Sequence, residues 1–294
     1  MGIHKIIFGN AQRMGEVENR AVQLVVTSPP YFNVKDYGPA HGNIGAINSY
    51  KAYLDAVRNV FKECYRVLED GRYCCVNISD IISDKHKYPI PAHYVAMMED
   101  LGFCYRDDII WKKPEGVGAN GGGGAAKRFG VFMQNPFPMY YYPNNIYEHI
   151  LIFRKGKFDF KKITAKKTDK ARIDIAEAKE YLNCDVWEFA PQKSAGSIRH
   201  PAMFPDVLPR TLINLFTYKE EIVLDPFLGS GTTVKVAREL GRNSIGYEIN
   251  LAYLQTMKRK IGFSSDSKDV KVISRRGFDF DPDLDSVEEI GEVV

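Results

Sequence analysis

Apolar positions recur along this chain at two periods, and the changes between them mark its elements. Residues 3–10, IHKIIFGN, read as a first strand closed by Gly9-Asn10. Val22-Gln23-Leu24-Val25-Val26 is a β-branched run of the kind that a parallel sheet buries. After a loop from Asn33 to Ile47, Ser49 suits an N-cap. Tyr53, Leu54, Val57, Val60, Phe61, Cys64 and Leu68 then follow at helical spacing as far as Asp70-Gly71. The pattern predicts strands at 73–78, 109–111 and 146–153, with a helix over 90–101 that Gly102 ends. Further on, Ile222-Val223-Leu224 enters a glycine turn, a helix runs over 234–240 to Gly241, and the strand Ser244-Ile245-Gly246-Tyr247 ends in Glu248. Strands alternating with helices predict an α/β fold, a mostly parallel sheet covered on both faces.

Two stretches break the rhythm. Residues 112–145 hold four consecutive glycines, Gly121 to Gly124, and then Tyr140-Tyr141-Tyr142, a composition that makes no core and predicts a mobile loop. From Arg154 to Arg172 nine basic residues face only Asp159 and Asp169. That run reads either as a solvated helical face or as a surface for phosphates, with Phe158 and Phe160 placed for bases.

Composition narrows the class. Of the 294 residues, 45% are hydrophobic and 26% charged, as in an ordinary soluble protein with ample core. No apolar run approaches the ~20 residues of a membrane span, and no signal-peptide pattern opens the chain, so a cytoplasmic protein is expected. Cys64, Cys74, Cys75, Cys104 and Cys184 form no C-x-x-C pair, which argues against zinc and redox work and for reduced, mostly buried thiols. The net charge is only +3, but residues 277–294 hold seven acidic residues and no Lys or Arg, leaving a basic body over residues 1–276. A basic body suits a polyanionic partner.

Thr27-Ser28-Pro29-Pro30-Tyr31 follows the second strand, at the carboxyl end where open α/β sheets bind ligands. Two prolines fix φ twice and remove two donors, leaving a hydroxyl and backbone carbonyls beside an aromatic ring. Such a set of acceptors suits an exocyclic amine on a flat ring, because the amine donates two hydrogens while the ring stacks on Tyr31. The plainer reading is a Pro-Pro loop that ends a strand. Downstream, Asp225-Pro226-Phe227-Leu228-Gly229-Ser230-Gly231-Thr232-Thr233 joins a strand to a helix N-terminus, where glycines let a ligand approach free N–H groups. Glu248 stands at the end of the next strand, near the spacing at which an acid meets a ribose diol. No Lys follows the glycines, which excludes a P-loop.

The ordered pair TSPPY and DPFLGSGTT resembles the beta group of amino DNA methyltransferases, found in restriction–modification systems, in which the catalytic motif precedes the cofactor motif. Trp111-Lys112-Lys113-Pro114, Tyr147 to Phe153 and His200-Pro201-Ala202-Met203-Phe204-Pro205 match the same pattern. The resemblance implies a Rossmann-like, circularly permuted methyltransferase domain over residues 1–276, S-adenosylmethionine as cofactor, no metal, and a flipped base in duplex DNA as substrate. It places Asp225, Phe227, Gly229, Ser230, Gly231 and Thr232 around the cofactor and Glu248 on its ribose. His200 and Phe204 would close over its methionine end. Ser28, Pro29 and Pro30 would hold the target amine and Tyr31 would stack on the base. Target recognition falls within residues 154–198, where Lys161, Lys162, Lys166 and Lys167 would meet DNA; the sequence leaves open whether a cognate restriction endonuclease accompanies the enzyme. The segment 277–294 is left as an acidic tail.

Methylation at cytosine carbon 5 is set aside, because its nucleophilic cysteine normally follows a proline and no proline here precedes a cysteine. In this group, serine at the first motif position resembles the cytosine-N4 type and Asp or Asn the adenine-N6 type, so Ser28 favours cytosine. An adenine-N6 enzyme, an RNA amino-methyltransferase and a non-catalytic DNA-binding protein are the competing readings.

Overall fold

A computed structural model describes residues 2–33, 42–83, 86–114, 135–139, 145–159, 161, 173, 179, 181–192, 204–264 and 266–275. Its centre is a nine-stranded sheet. The strands are β1 His4–Phe8, β2 Val22–Thr27, β3 Leu68–Ile78, β6 Phe103–Lys112, β7 Tyr147–Lys155, β8 Val186–Glu188, β9 Ile222–Asp225, β10 Asn243–Glu248 and β11 Val270–Ser274. A small hairpin, β4 Ile81–Ser83 with β5 His86–Tyr88, stands apart from it. Across the sheet the order is β11-β1-β10-β9-β2-β3-β7-β6-β8. Every neighbouring pair is parallel except those made by β7, which runs against both β3 and β6. The mostly parallel α/β expectation holds, with β7 as the reversed strand.

Period-two alternation decides what lies on each face. Val25, Cys74, Leu151 and Phe153 face the helices α1 Tyr50–Val67 and α2 Ile90–Asp100, which supply Val57, Val60, Phe61 and Met98 to one buried cluster. Their sequence neighbours Leu24, Val26, Cys75, Ile150 and Ile152 face the other way, into a cluster with Leu208, Leu212 and Val236 from α3 Val207–Phe216 and α4 Thr232–Glu239. A third cluster joins Ile6, Phe8 and Val234 to Leu254 and Met257, on the helical turns 254–262.

Several boundaries differ from the sequence pattern for local reasons. Ser49 does cap α1, its hydroxyl accepting from Ala52 N–H, but the helix ends at Val67 and Leu68 already opens β3. Gly71 carries the chain through at φ +83°, a conformation that costs glycine little. β6 starts at Phe103, six residues earlier than the apolar pattern suggests, because its polar first half is held by backbone pairing to β7. The apolar pattern does not reveal β4, β5, β8, α3, β11 or the turns 254–262, which are short or, in α3, carry Pro209 where a proline is still tolerated. Cys64, Cys74 and Cys75 are buried, Cys104 and Cys184 are exposed, and none is bonded to another. Among the described residues no helix is long and apolar enough to cross a membrane, and no group of side chains forms a metal cluster.

Candidate active site

The two motifs, 198 residues apart, meet because β9 pairs with β2. Leu24 lies opposite Val223 and Val25 opposite Leu224, so Thr27 and Asp225 end adjacent strands at the same edge. Asp225 is 1% exposed, and its carboxylate accepts from Thr27 Oγ1 at 2.7 Å, Thr233 Oγ1 at 2.6 Å and Phe227 N–H at 3.1 Å. Burial pushes its carboxyl up to about 6, against the pull of those three donors. The carboxylate is therefore a tie between the serine-proline motif and the glycine turn, which it aims. It lies behind the cleft wall, where the resemblance implies a place against the cofactor.

A cleft partly open to solvent occupies this edge. Ser28, Pro29 and Pro30 line it together with Pro226, Phe227, Gly229, Tyr247 and Glu248. The Glu248 carboxylate accepts from Gly229 N–H at 2.7 Å, Ile249 N–H at 2.9 Å and Asn250 N–H at 2.8 Å. Burial pushes it up to about 7, again opposed by backbone donors. A carboxylate offers about four acceptor positions, so three N–H bonds fix its orientation and leave capacity for a hydroxyl in the cleft. Gly229 has φ +55°, a turn that brings its N–H back onto Glu248. These acceptors, the glycine backbone and the apolar Pro226-Phe227 wall fit a nucleoside-bearing cofactor.

The remaining members of the glycine motif act one layer back. Ser230 and Thr232 hydroxyls accept from Lys260 Nζ at 2.8 and 2.6 Å, and burial lowers that ammonium to about 8. Gly231, at φ +90°, lets Ile261 approach so closely that a Cβ would stand 2.8 Å from its Cδ1. Ser230, Gly231 and Thr232 thus shape the turn and do not line the cleft. Phe204 is buried with Trp111, Trp187 and Leu208 on the α3 side, so its ring is packed in core and not at the cleft. His200 lies outside the described residues.

Beside the proline pair, Tyr53 Oη donates to Pro30 O at 2.9 Å, which anchors the pair to α1. Tyr31 is half-buried beside it and its hydroxyl donates to Glu148 at 3.3 Å. Lys161 is exposed, whereas Lys162, Lys166 and Lys167, most of the 112–145 and 154–198 segments, and the tail 277–294 lie outside the described residues. Gly9, Asn10, Ala11, Gly42, Asn43, Ile44, Ile249 and Tyr253 also line the cleft, beyond what the motifs predict. The sequence pattern marks Gly9-Asn10 only as a strand terminator, although the end of a strand adjacent to β10 is signal enough to ask.

Comparison with known proteins agrees with this geometry. The model of the N6/N4 methyltransferase family, described as DNA methylase, matches residues 22–259. The type II methyltransferase M.MjaI of Methanocaldococcus jannaschii is 34% identical, over 88% of this chain and 91% of its own length. M.SmaI of Serratia marcescens is 27% identical, over 87% and 90%. Among solved structures, TTHA0409 of Thermus thermophilus, crystallised with S-adenosyl-L-methionine, superposes with a TM-score of 0.68 at 25% identity, covering 92% of this chain and all of the other. The cytosine-N4-specific PvuII DNA methyltransferase shares the fold, with a TM-score of 0.66 at 18% identity and coverage of 92% and 89%. With the family model spanning both motifs, this chain belongs to the N6/N4 DNA methylases, a family of restriction–modification methyltransferases.

Proposed function

We propose that this protein transfers a methyl group from S-adenosylmethionine to the exocyclic N4 amine of cytosine in a short duplex DNA sequence. The observation that carries the reading is that Ser28, Pro29 and Pro30 line the same cleft as Glu248 and Gly229. Amine acceptors and a nucleoside-binding end therefore share one space. The cofactor supplies an electrophilic sulfonium methyl, and everything else falls to this chain. Glu248 would accept from the ribose, and Phe227 and Pro226 would offer an apolar wall to the cofactor's flat base. The target amine donates its two hydrogens to Ser28 Oγ and a carbonyl of the proline pair. Both hydrogens being held turns the nitrogen lone pair out of the ring plane and toward the methyl. As the N–C bond forms the S–C bond breaks, leaving a neutral thioether, and no strong base is needed, since the proton passes to water only after the nitrogen has become cationic.

Flipping the base costs a few kcal/mol, and stacking on Tyr31 recovers about 1–3 kcal/mol of that. Phosphate contacts from the basic body, with Lys161, Lys162, Lys166 and Lys167 among them, supply the rest. Serine at position 28, where an acidic or amide residue would mark the adenine type, supports cytosine. The test is nucleoside mass spectrometry of DNA methylated by the purified protein. N4-methylcytosine is the expected product, and N6-methyladenine as sole product would overturn the cytosine assignment while leaving the methyltransferase intact. A restriction endonuclease of the same specificity is the partner this reading implies.

A further inference from the structure

Glu148, near the start of β7, does not line the cofactor cleft, yet it is the hub of a polar cluster at the base-facing end of the site. Its Oε2 accepts two bonds, from Tyr31 Oη at 3.3 Å and from Asn77 Nδ2 at 2.6 Å. Its Oε1 pairs with Lys113 Nζ at 2.7 Å. The Glu148 side chain is only 15% exposed, so these partners take the place of most of its water. Asn77 is 2% exposed, and its Oδ1 is buried without a partner. Turning the amide over would aim that oxygen at the carboxylate, so the bond to Glu148 fixes Asn77 even though an acceptor is left unmet.

The partners come from three separate places. Tyr31 follows β2, Asn77 is near the end of β3, and Lys113 follows β6. Because β7 is reversed, its first residues reach the edge where those strands finish. Lys113 N–H also donates to Ile146 O at 2.8 Å, so the same residue closes the base of the long 114–145 connection. A ring that must receive a base by stacking gains when its plane is fixed beforehand, because no rotamer freedom is then lost on capture. The hydroxyl is where a neighbour can hold a tyrosine without covering its face.

We infer that Glu148 is a positioning residue for target-base capture: it holds Tyr31 by the hydroxyl, and Asn77 and Lys113 hold the carboxylate in place. The inference rests on the proposed stacking role of Tyr31. Since both Tyr31 and Asn77 bond to Oε2, glutamine can keep those two contacts through its single oxygen and lose only the Lys113 pair. Alanine loses all three.

The experiment uses a duplex oligonucleotide carrying the site found by sequencing DNA that the wild-type protein has methylated in cells. Glu148→Ala should raise KM for this duplex about tenfold, the loss expected for a hydrogen bond to a charged group. Cofactor affinity by calorimetry should stay at the wild-type value. Tyr31→Phe, which keeps the ring and removes only the hydroxyl, should give the same rise, and the double variant should be no worse than the poorer single one. Glu148→Gln should recover most of the loss. With 2-aminopurine at the target position, the fluorescence gained on binding should fall in Glu148→Ala and Tyr31→Phe alike. The inference is overturned if Tyr31→Phe leaves KM unchanged, or if the two losses multiply in the double variant. It is equally overturned if Glu148→Ala loses cofactor affinity and thermal stability together and glutamine restores neither, since that pattern marks a structural residue. Failure of the functional reading shows elsewhere, as wild-type protein that methylates no DNA.

Discussion

The two ends of the candidate site, around Glu248 and around Tyr31, are built by opposite means. Around Glu248 the work is done by backbone: three N–H groups from a glycine turn and a strand end converge on one buried carboxylate. Around Tyr31 it is done by side chains from four segments of the chain, with Lys113 as counter-ion to Glu148. Backbone donors are fixed by the fold and hold the Glu248 carboxylate without a neighbouring cation; burial pushes it upward, and the three N–H groups offset only part of that. A side-chain cluster can be adjusted residue by residue. On the proposed function, the constant half of the reaction, the cofactor, would meet the backbone-built end, and the variable half, the base, the adjustable one.

The comparison breaks most sharply at Ser28, which lines the shared cleft between the two ends. If its hydroxyl orients the amine's lone pair, Ser28→Ala should lower kcat by about 10²–10³, the loss typical of a donor or acceptor that acts in the transition state. Affinities for cofactor and DNA should change little, because an interaction that strengthens only on the way to product contributes little to ground-state binding. Single-turnover methyl transfer with both substrates saturating measures this, and a loss confined to KM would move Ser28 from chemistry to binding.

Asp225 tests how the two ends are joined. Asp225→Ala strands the hydroxyls of Thr27 and Thr233 and the Phe227 N–H inside the core, which should cost about 2–3 kcal/mol of stability in urea unfolding. Asp225→Asn keeps an oxygen for Thr27 and Phe227 and presents an NH₂ that the Thr233 hydroxyl can accept, so it should stay close to wild type. Equal losses in the two variants would show that the charge, and not the hydrogen-bond tie, is what the site requires.

These two ends also differ in how readable they are. The strand, glycine turn, helix and terminal acid of the cofactor end are contiguous, and every residue needed to infer them lies within 222–248. Even there, the sequence suggests that Asp225, Ser230, Gly231 and Thr232 face the ligand, because it does not reveal that a motif residue can serve the turn from behind. The base-facing end depends on contacts such as Asn77 to Glu148 and Tyr31 to Glu148, spanning 71 and 117 residues. Nothing in YEHILIF distinguishes a hub carboxylate from a solvated one. Its position follows only from the reversal of β7, and a run of apolar residues carries no mark of strand direction.

The finest distinction between the two ends is in their response to pH. Glu248 is raised by burial from an ordinary carboxyl value to about 7. In the free protein, a carboxyl with a raised folded pKa contributes stability that is fully present below the unfolded value and is lost as pH rises through about 7. Asp225 adds a loss of the same sign, complete nearer pH 6. If a ribose diol donates to Glu248, it prefers the ionised form, and cofactor and proton then compete for one group. Cofactor affinity should therefore rise with pH and level off above about 7, falling about tenfold for each unit well below it. The gain in melting temperature on adding cofactor should grow through the same window in which the free protein weakens. Calorimetric titrations between about pH 5.5 and 8.5 measure the profile, and Glu248→Gln, which cannot ionise, should bind more weakly and show a flat one. A wild-type profile already flat across that range would mean that the diol is held by other groups, and that the buried carboxylate serves only to fold the glycine turn.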